Sequence, residues 1–129
     1  MNAALICTAL LGLLVFGLGL AVSLTRGSTN TIHGYTPDPT DRLYKLVRAH
    51  CNAAEYAPML AVLMLFLAIR GPSPWMIWTF AIGTLSRYLH AAGMIFFPSL
   101  AKPNPLRFVG ALGTYAAGLA LVVAALMVS

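Results

Sequence analysis

Arg48, Asn52 and Glu55 stand at i, i+4 and i+7 in an otherwise apolar stretch. At 3.6 residues per turn the three share one helical face. A second pair, Arg87 and His90, stands at i and i+3 in another apolar stretch. With His50, the two stretches supply one carboxylate, two guanidinium groups, two imidazoles and an amide. Ionisable groups inside a membrane segment cost at least a few kcal/mol each unless paired or wetted, so they mark functional sites by default. Two uses compete for these residues. One is a ligand site; the other is a buried ion-pair network, for instance Glu55 with Arg87, that fixes helix packing. His50 taken alone also suits an interfacial or packing role. Pro58, three residues after Glu55, removes a backbone donor and crowds the carbonyl of Ala54, which predicts a kink just beyond the polar face.

The elements that position these residues follow from composition. Of 129 residues, 60% are hydrophobic and 9% charged, with 8 Lys+Arg against 3 Asp+Glu. Soluble domains carry about 25% charged residues. The shortage excludes a soluble globular domain, a disordered chain and a disulfide scaffold, and it leaves an integral membrane protein. The net charge of +5 is dispersed, so it argues for membrane flanks and against nucleic acid. A crossing needs about 20 helical residues. Four segments qualify, at 3–24, 43–69, 74–97 and 105–128. They predict an all-α, four-transmembrane-helix bundle in one domain over 1–129. Segment 3–24 has no basic start and an apolar run longer than a signal peptide's, so it is read as a retained span.

The connections give an orientation. Arg26, Arg42 and Lys45 flank the first loop, and Lys102 and Arg107 the third, while the second holds Arg70 alone. The basic residues place the first and third loops in the cytoplasm and both termini outside. Trp75 and Trp78 then anchor the outer interface. Cys7 and Cys51 both lie in apolar segments, so no structural disulfide is expected, and Cys51 is expected to be buried. No Cys/His cluster has zinc spacing, so no metal site is expected. Small residues four apart, Gly17 and Ala21, Thr114 and Gly118, Ala120 and Ala124, are compatible with tight packing within a bundle or between subunits.

The string Arg48-Ala-His50-x-Asn52-x-x-Glu55-x-x-Pro58 resembles the signature of the MAPEG family, the membrane-associated proteins in eicosanoid and glutathione metabolism. Arg87-x-x-His90 late in the third helix and Pro105-Leu106-Arg107 opening the fourth fit the same pattern, and Asn52-Ala53-Ala54-Glu55-Tyr56 is most similar to its bacterial branch. The resemblance implies a homotrimer with glutathione bound between subunits at the cytoplasmic side. It implies transferase or peroxidase chemistry on lipophilic small-molecule substrates, with glutathione as co-substrate. Arg48, Asn52 and Glu55 match positions that hold the tripeptide. Glu55 would take its amino end and basic groups its carboxylates. Arg26, Arg87 and His90 match further positions near it. Arg107 matches the arginine that stabilises the thiolate, since a nearby guanidinium lowers a thiol's pKa and the thiolate is the nucleophile.

Several positions depart from that pattern. Cys51 stands where an arginine is common, Met94 where a tyrosine is often found, and Phe108 and Ala111 replace polar residues. Two further readings therefore stay open: a non-catalytic family member that binds another ligand, and a small multidrug-type transporter using Glu55. The transporter outline carries its acid in the first helix, where this chain has none.

Overall fold

The computed structural model describes residues 2–128. Its elements are four helices: α1 (Asn2–Ser28), α2 (Arg42–Ile69), α3 (Pro74–Ile95) and α4 (Pro105–Met127). Each start has a local cause. Asp41 accepts the Tyr44 N–H at 2.8 Å and opens α2. Pro74 and Pro105 sit at the first turn of α3 and α4, where a missing N–H costs nothing. Asn104 accepts the Arg107 N–H at 2.9 Å and caps α4.

Two ends differ from expectation. α1 runs past residue 24 to Ser28, because the Ser28 and Thr29 hydroxyls both donate back to the Thr25 carbonyl at 2.9 Å. α3 stops at Ile95 rather than 97; the Phe96 N–H closes it on the Ala92 carbonyl, and Pro98 follows. α2 continues through Pro58 as one helix to Ile69.

α1, α2 and α4 are long and apolar enough to cross a membrane. α3 has 22 residues, about 33 Å at 1.5 Å per residue. It is more polar because Thr84, Ser86 and Arg87 lie along it, and all three are buried inside the bundle. Its outer face keeps apolar Ile82 and Leu85 exposed, as α1 keeps Phe16 and Leu20 and α4 keeps Leu119 and Leu126. An apolar exterior around a partly polar interior is the arrangement a bilayer requires.

The interior has two apolar clusters. One, toward the α2–α3 turn, includes Leu11, Leu60, Met64, Phe80 and Leu121. The other, toward the α1–α2 and α3–α4 connections, includes Leu14, Leu18, Ala49, Ala53 and Met94. At that end the Leu100 N–H donates to the Pro39 carbonyl at 2.9 Å, and Lys45 Nζ to the Phe97 carbonyl at 3.1 Å. The two long connections are therefore tied together.

Within the protomer the closest backbone approaches lie at other glycines. A Cβ added at Gly17 would meet nothing within 4 Å. One added at Gly110 would lie 2.5 Å from the His90 backbone nitrogen, and one at Gly93 2.6 Å from the Arg107 nitrogen. The tight seam is thus α3 against α4, built on Gly93, Gly110 and Gly113. Spacing alone does not distinguish a small residue facing a partner helix from one facing outward. Cys7 is buried, whereas Cys51, expected to be buried, is exposed, because it lies on the outer side of α2. Both thiols are free.

Candidate functional site

Arg87 is the centre of the polar layer. Its side chain is 1% exposed and the largest of the fully buried ones. Nη2 donates to Asn52 Oδ1 at 2.6 Å, and Nη1 reaches Thr114 Oγ1 at 3.5 Å. The guanidinium carbon lies 5.1 Å from the centre of the Tyr56 ring, within cation–π range. Three helices therefore enclose one cation: α2 through Asn52 and Tyr56, α3 through Arg87 itself, α4 through Thr114. Asn52 and Tyr56 are four apart, so one face of α2 presents both.

Glu55 is not part of this enclosure. It is exposed in the protomer, and among the described residues it forms no ion pair, with Arg87 or any other cation. The expected Glu55–Arg87 pair is corrected: the amide of Asn52 takes the guanidinium, and Glu55, about 60° further round the helix, points past it. Glu55 instead lines a groove of about 390 Å³ between α2 and α4. Tyr56, Thr114 and Tyr115 line its polar end; Met59, Leu63, Leu119 and Val122 continue it as an apolar trough. The Tyr56 and Tyr115 hydroxyls meet at 3.1 Å across this groove, with their rings edge-on at 5.7 Å. Arg48 is also exposed, a turn before Asn52 on the outward side of α2.

The other predicted residues lie apart from that layer. His90 is half-buried, and its Nδ1 is 3.0 Å from the Arg107 carbonyl oxygen. Arg107 Nη1 donates to the Leu100 carbonyl at 2.9 Å. Both line a second pocket of about 260 Å³ with Asn104, Phe108 and Ala111. Arg26 lies at the end of α1 in a third pocket, lined otherwise by Gly27, Asn30, Thr31 and Ile32. A single protomer thus brings Asn52 and Arg87 together, sets His90 beside Arg107, leaves Arg48 and Glu55 exposed, and keeps Arg26 half-buried in a pocket of its own. His50 points the other way: its ring fills the space over Gly19 of α1, where an added Cβ would be 3.2 Å from Nε2. It is a packing residue, and Gly19 makes room for it.

Sequence reasoning missed four residues. Tyr56 was discoverable, being four residues from Asn52. Asn104 carried a helix-start signal, an Asn directly before a proline. Thr114 was visible only as a small residue, and here its hydroxyl lies beside Arg87. Tyr115 had no signal at all, since only the fold sets it opposite Tyr56.

No individual curated protein and no solved structure matches the chain. The model of the MAPEG family matches residues 4–127. The match spans all four helices, including the Arg48–Pro58 string and the Arg87 and Arg107 positions. The chain therefore belongs to the MAPEG family, the membrane proteins of eicosanoid and glutathione metabolism.

Proposed function

We propose that the protein is a membrane-embedded, glutathione-dependent transferase or peroxidase acting on lipophilic electrophiles. It works as a homotrimer of the inner membrane, with glutathione held between subunits at the cytoplasmic side and both termini periplasmic. The orientation rests on the excess of basic residues at the α1–α2 and α3–α4 end. One observation carries the reading: Arg48 and Glu55 are exposed on one side of a membrane helix. Charges left against hydrocarbon are costly. A neighbouring subunit and a zwitterionic ligand remove that cost together. Glu55 accepts the ligand's ammonium group, and Arg48 and a neighbour's Arg26 take its carboxylates by charge-assisted hydrogen bonds. Asn52 and Arg87 brace the wall behind them, and His90 lies nearby.

The chemistry then needs a thiolate. Arg107 stabilises it by placing a positive charge beside the sulfur. The thiolate attacks an electrophilic carbon: a C–S bond forms, the leaving group departs with its electron pair, and the thiol proton goes to water. The apolar trough along Met59, Leu63, Leu119 and Val122 supports entry of the second substrate from the lipid.

The test is direct. Millimolar glutathione should raise the melting temperature of the purified protein, since a ligand that binds only the native state stabilises it by mass action. The same preparation should conjugate glutathione to an aryl halide, and Arg107→Ala should abolish this. No stabilisation, and no conjugation with several electrophiles, would overturn the reading. A second reading, a non-catalytic family member, is favoured by the engagement of Arg107 with the Leu100 carbonyl and by apolar Met94, Phe108 and Ala111. Stabilisation by glutathione with no conjugation would select it.

A further inference from the structure

We infer that Asn104 and His90 are positioning residues that clamp the backbone of Arg107 from both sides. The inference rests on the proposed role of Arg107 as the thiolate-stabilising group.

The geometry is specific. Asn104 Oδ1 accepts the Arg107 N–H at 2.9 Å. His90 Nδ1 is 3.0 Å from the Arg107 carbonyl oxygen; a helix-start carbonyl can only accept, so Nδ1 carries the proton and donates. Both peptide groups flanking the Arg107 Cα are thereby held by side chains. An ordinary helix cap would hold only the first. Asn104 does more than cap: it is 5% exposed, and its Nδ2 donates to the Gly93 carbonyl of α3 at 3.0 Å. One amide therefore bridges the start of α4 to the end of α3.

Two glycines make the clamp possible. Gly93 and Gly110 let the two backbones meet where a Cβ would be 2.6 Å from the Arg107 nitrogen and 2.5 Å from the His90 nitrogen. The guanidinium is also held at one end, by Nη1 on the Leu100 carbonyl. With five N–H donors in a planar fork, it keeps others free for the pocket it lines. The backbone, the side-chain root and one edge of the fork are all fixed. The purpose of such restraint is to hold a charge at a set distance from a sulfur, where a misplacement of about 1 Å can cost about 100-fold in rate.

The experiment uses paired variants of the full-length protein. Asn104→Ser keeps a capping oxygen and Asn104→Ala does not. His90→Asn places an amide N–H the same number of bonds from the backbone as Nδ1, and His90→Leu removes the donor. For the Ala and Leu variants we expect kcat for aryl-halide conjugation to fall on the order of 10–100-fold. The pH–rate profile should shift to higher pH, as the thiol loses its stabilising charge, while glutathione affinity changes by less than about threefold. Ser and Asn variants should recover most of the rate. Amide hydrogen exchange over residues 104–110 should rise in the Ala and Leu variants alone. A His90→Leu variant that loses glutathione affinity at unchanged kcat would overturn the inference, as His90 would then act on the ligand and not through Arg107. So would equal rates, profiles and exchange in both members of each pair. Exchange needs no ligand and no turnover. If it responds as expected while the wild type neither binds nor conjugates glutathione, the proposed function fails and the clamp stands. If binding and conjugation are intact but exchange and profile do not respond, the clamp fails alone.

Discussion

Arg87 and Glu55 lie in the same layer of the bundle and are treated in opposite ways. Arg87 is enclosed by Asn52, the Tyr56 ring and Thr114, on three helices of one protomer. Glu55 is exposed about 60° round α2 from Asn52, lining a groove, with Arg48 exposed two turns away. The inner cation is part of the protomer's own stability. The outer pair makes sense only in the presence of something that covers it. A polar layer in a membrane protein can therefore hold two separate groups, one enclosed by the fold and one left exposed at its surface, although their residues are interleaved along one helix.

The sharpest way to break that contrast is to compare Arg87→Ala with Glu55→Gln. Arg87→Ala empties a buried site and strands the Asn52 amide, and should cost about 2–5 kcal/mol of stability. Glu55→Gln should change protomer stability by no more than about 0.5 kcal/mol yet remove the glutathione-dependent rise in melting temperature. Equal destabilisation, read by thermal melting in detergent, would mean that Glu55 is structural after all.

The next effect separates the α3–α4 seam from the free faces. Gly110→Ala forces a Cβ onto the His90 backbone, which cannot retreat like the end of a flexible side chain, and should cost about 1–3 kcal/mol. Gly12→Ala, with nothing within 4 Å of the new atom, should be neutral or slightly stabilising because alanine favours the helix. Circular-dichroism melts of the two variants decide it.

A smaller effect lies on the boundary between the two groups. Tyr115→Phe removes the hydroxyl contact with Tyr56 but keeps the ring contact, and should cost about 0.5–1 kcal/mol. A double-mutant cycle with Tyr56→Phe should then be non-additive by most of that amount. Strict additivity would mean that the 3.1 Å contact contributes nothing.

The smallest effect lies outside the membrane. The Thr40 backbone N–H and hydroxyl, both 2.8 Å from Asp38 Oδ1, hold the Asp38 carboxyl below the usual carboxylate range. A depressed folded-state pKa gives a contribution present above the unfolded value and lost as pH falls through the folded one. Acidification should loosen the α1–α2 connection in the wild type and leave Asp38→Asn, which has no such titration, without that step. Hydrogen exchange over residues 36–41 at descending pH reads it.

Much of this was legible in the residues. The shortage of charge named the membrane, the apolar runs set four helices to within a few residues, and the spacing of Arg48, Asn52 and Glu55 put them on one face. The Arg48–Pro58 string pointed to the family. The site was legible as a list of residues but not as an arrangement. Periodicity said that Asn52 and Glu55 share a face; it could not say that Asn52 meets Arg87 of α3 while Glu55 lines the groove between α2 and α4. Cys51 was read as buried because it lies in an apolar segment, yet in a membrane an apolar segment also forms the outside. Gly17 and Gly110 were equivalent by composition, and only the second faces a backbone.

By itself, then, the sequence determined what acts over short range or in sum: helix formation, length, membrane residence and which residues are about one turn apart. The tertiary structure alone decided which of those residues are enclosed. Enclosure depends on a neighbouring helix, brought there by glycines and caps far along the chain. It took α4 to set Thr114 against Arg87 and Tyr115 against Tyr56, and it took the α3–α4 seam to fasten Arg107 between Asn104 and His90.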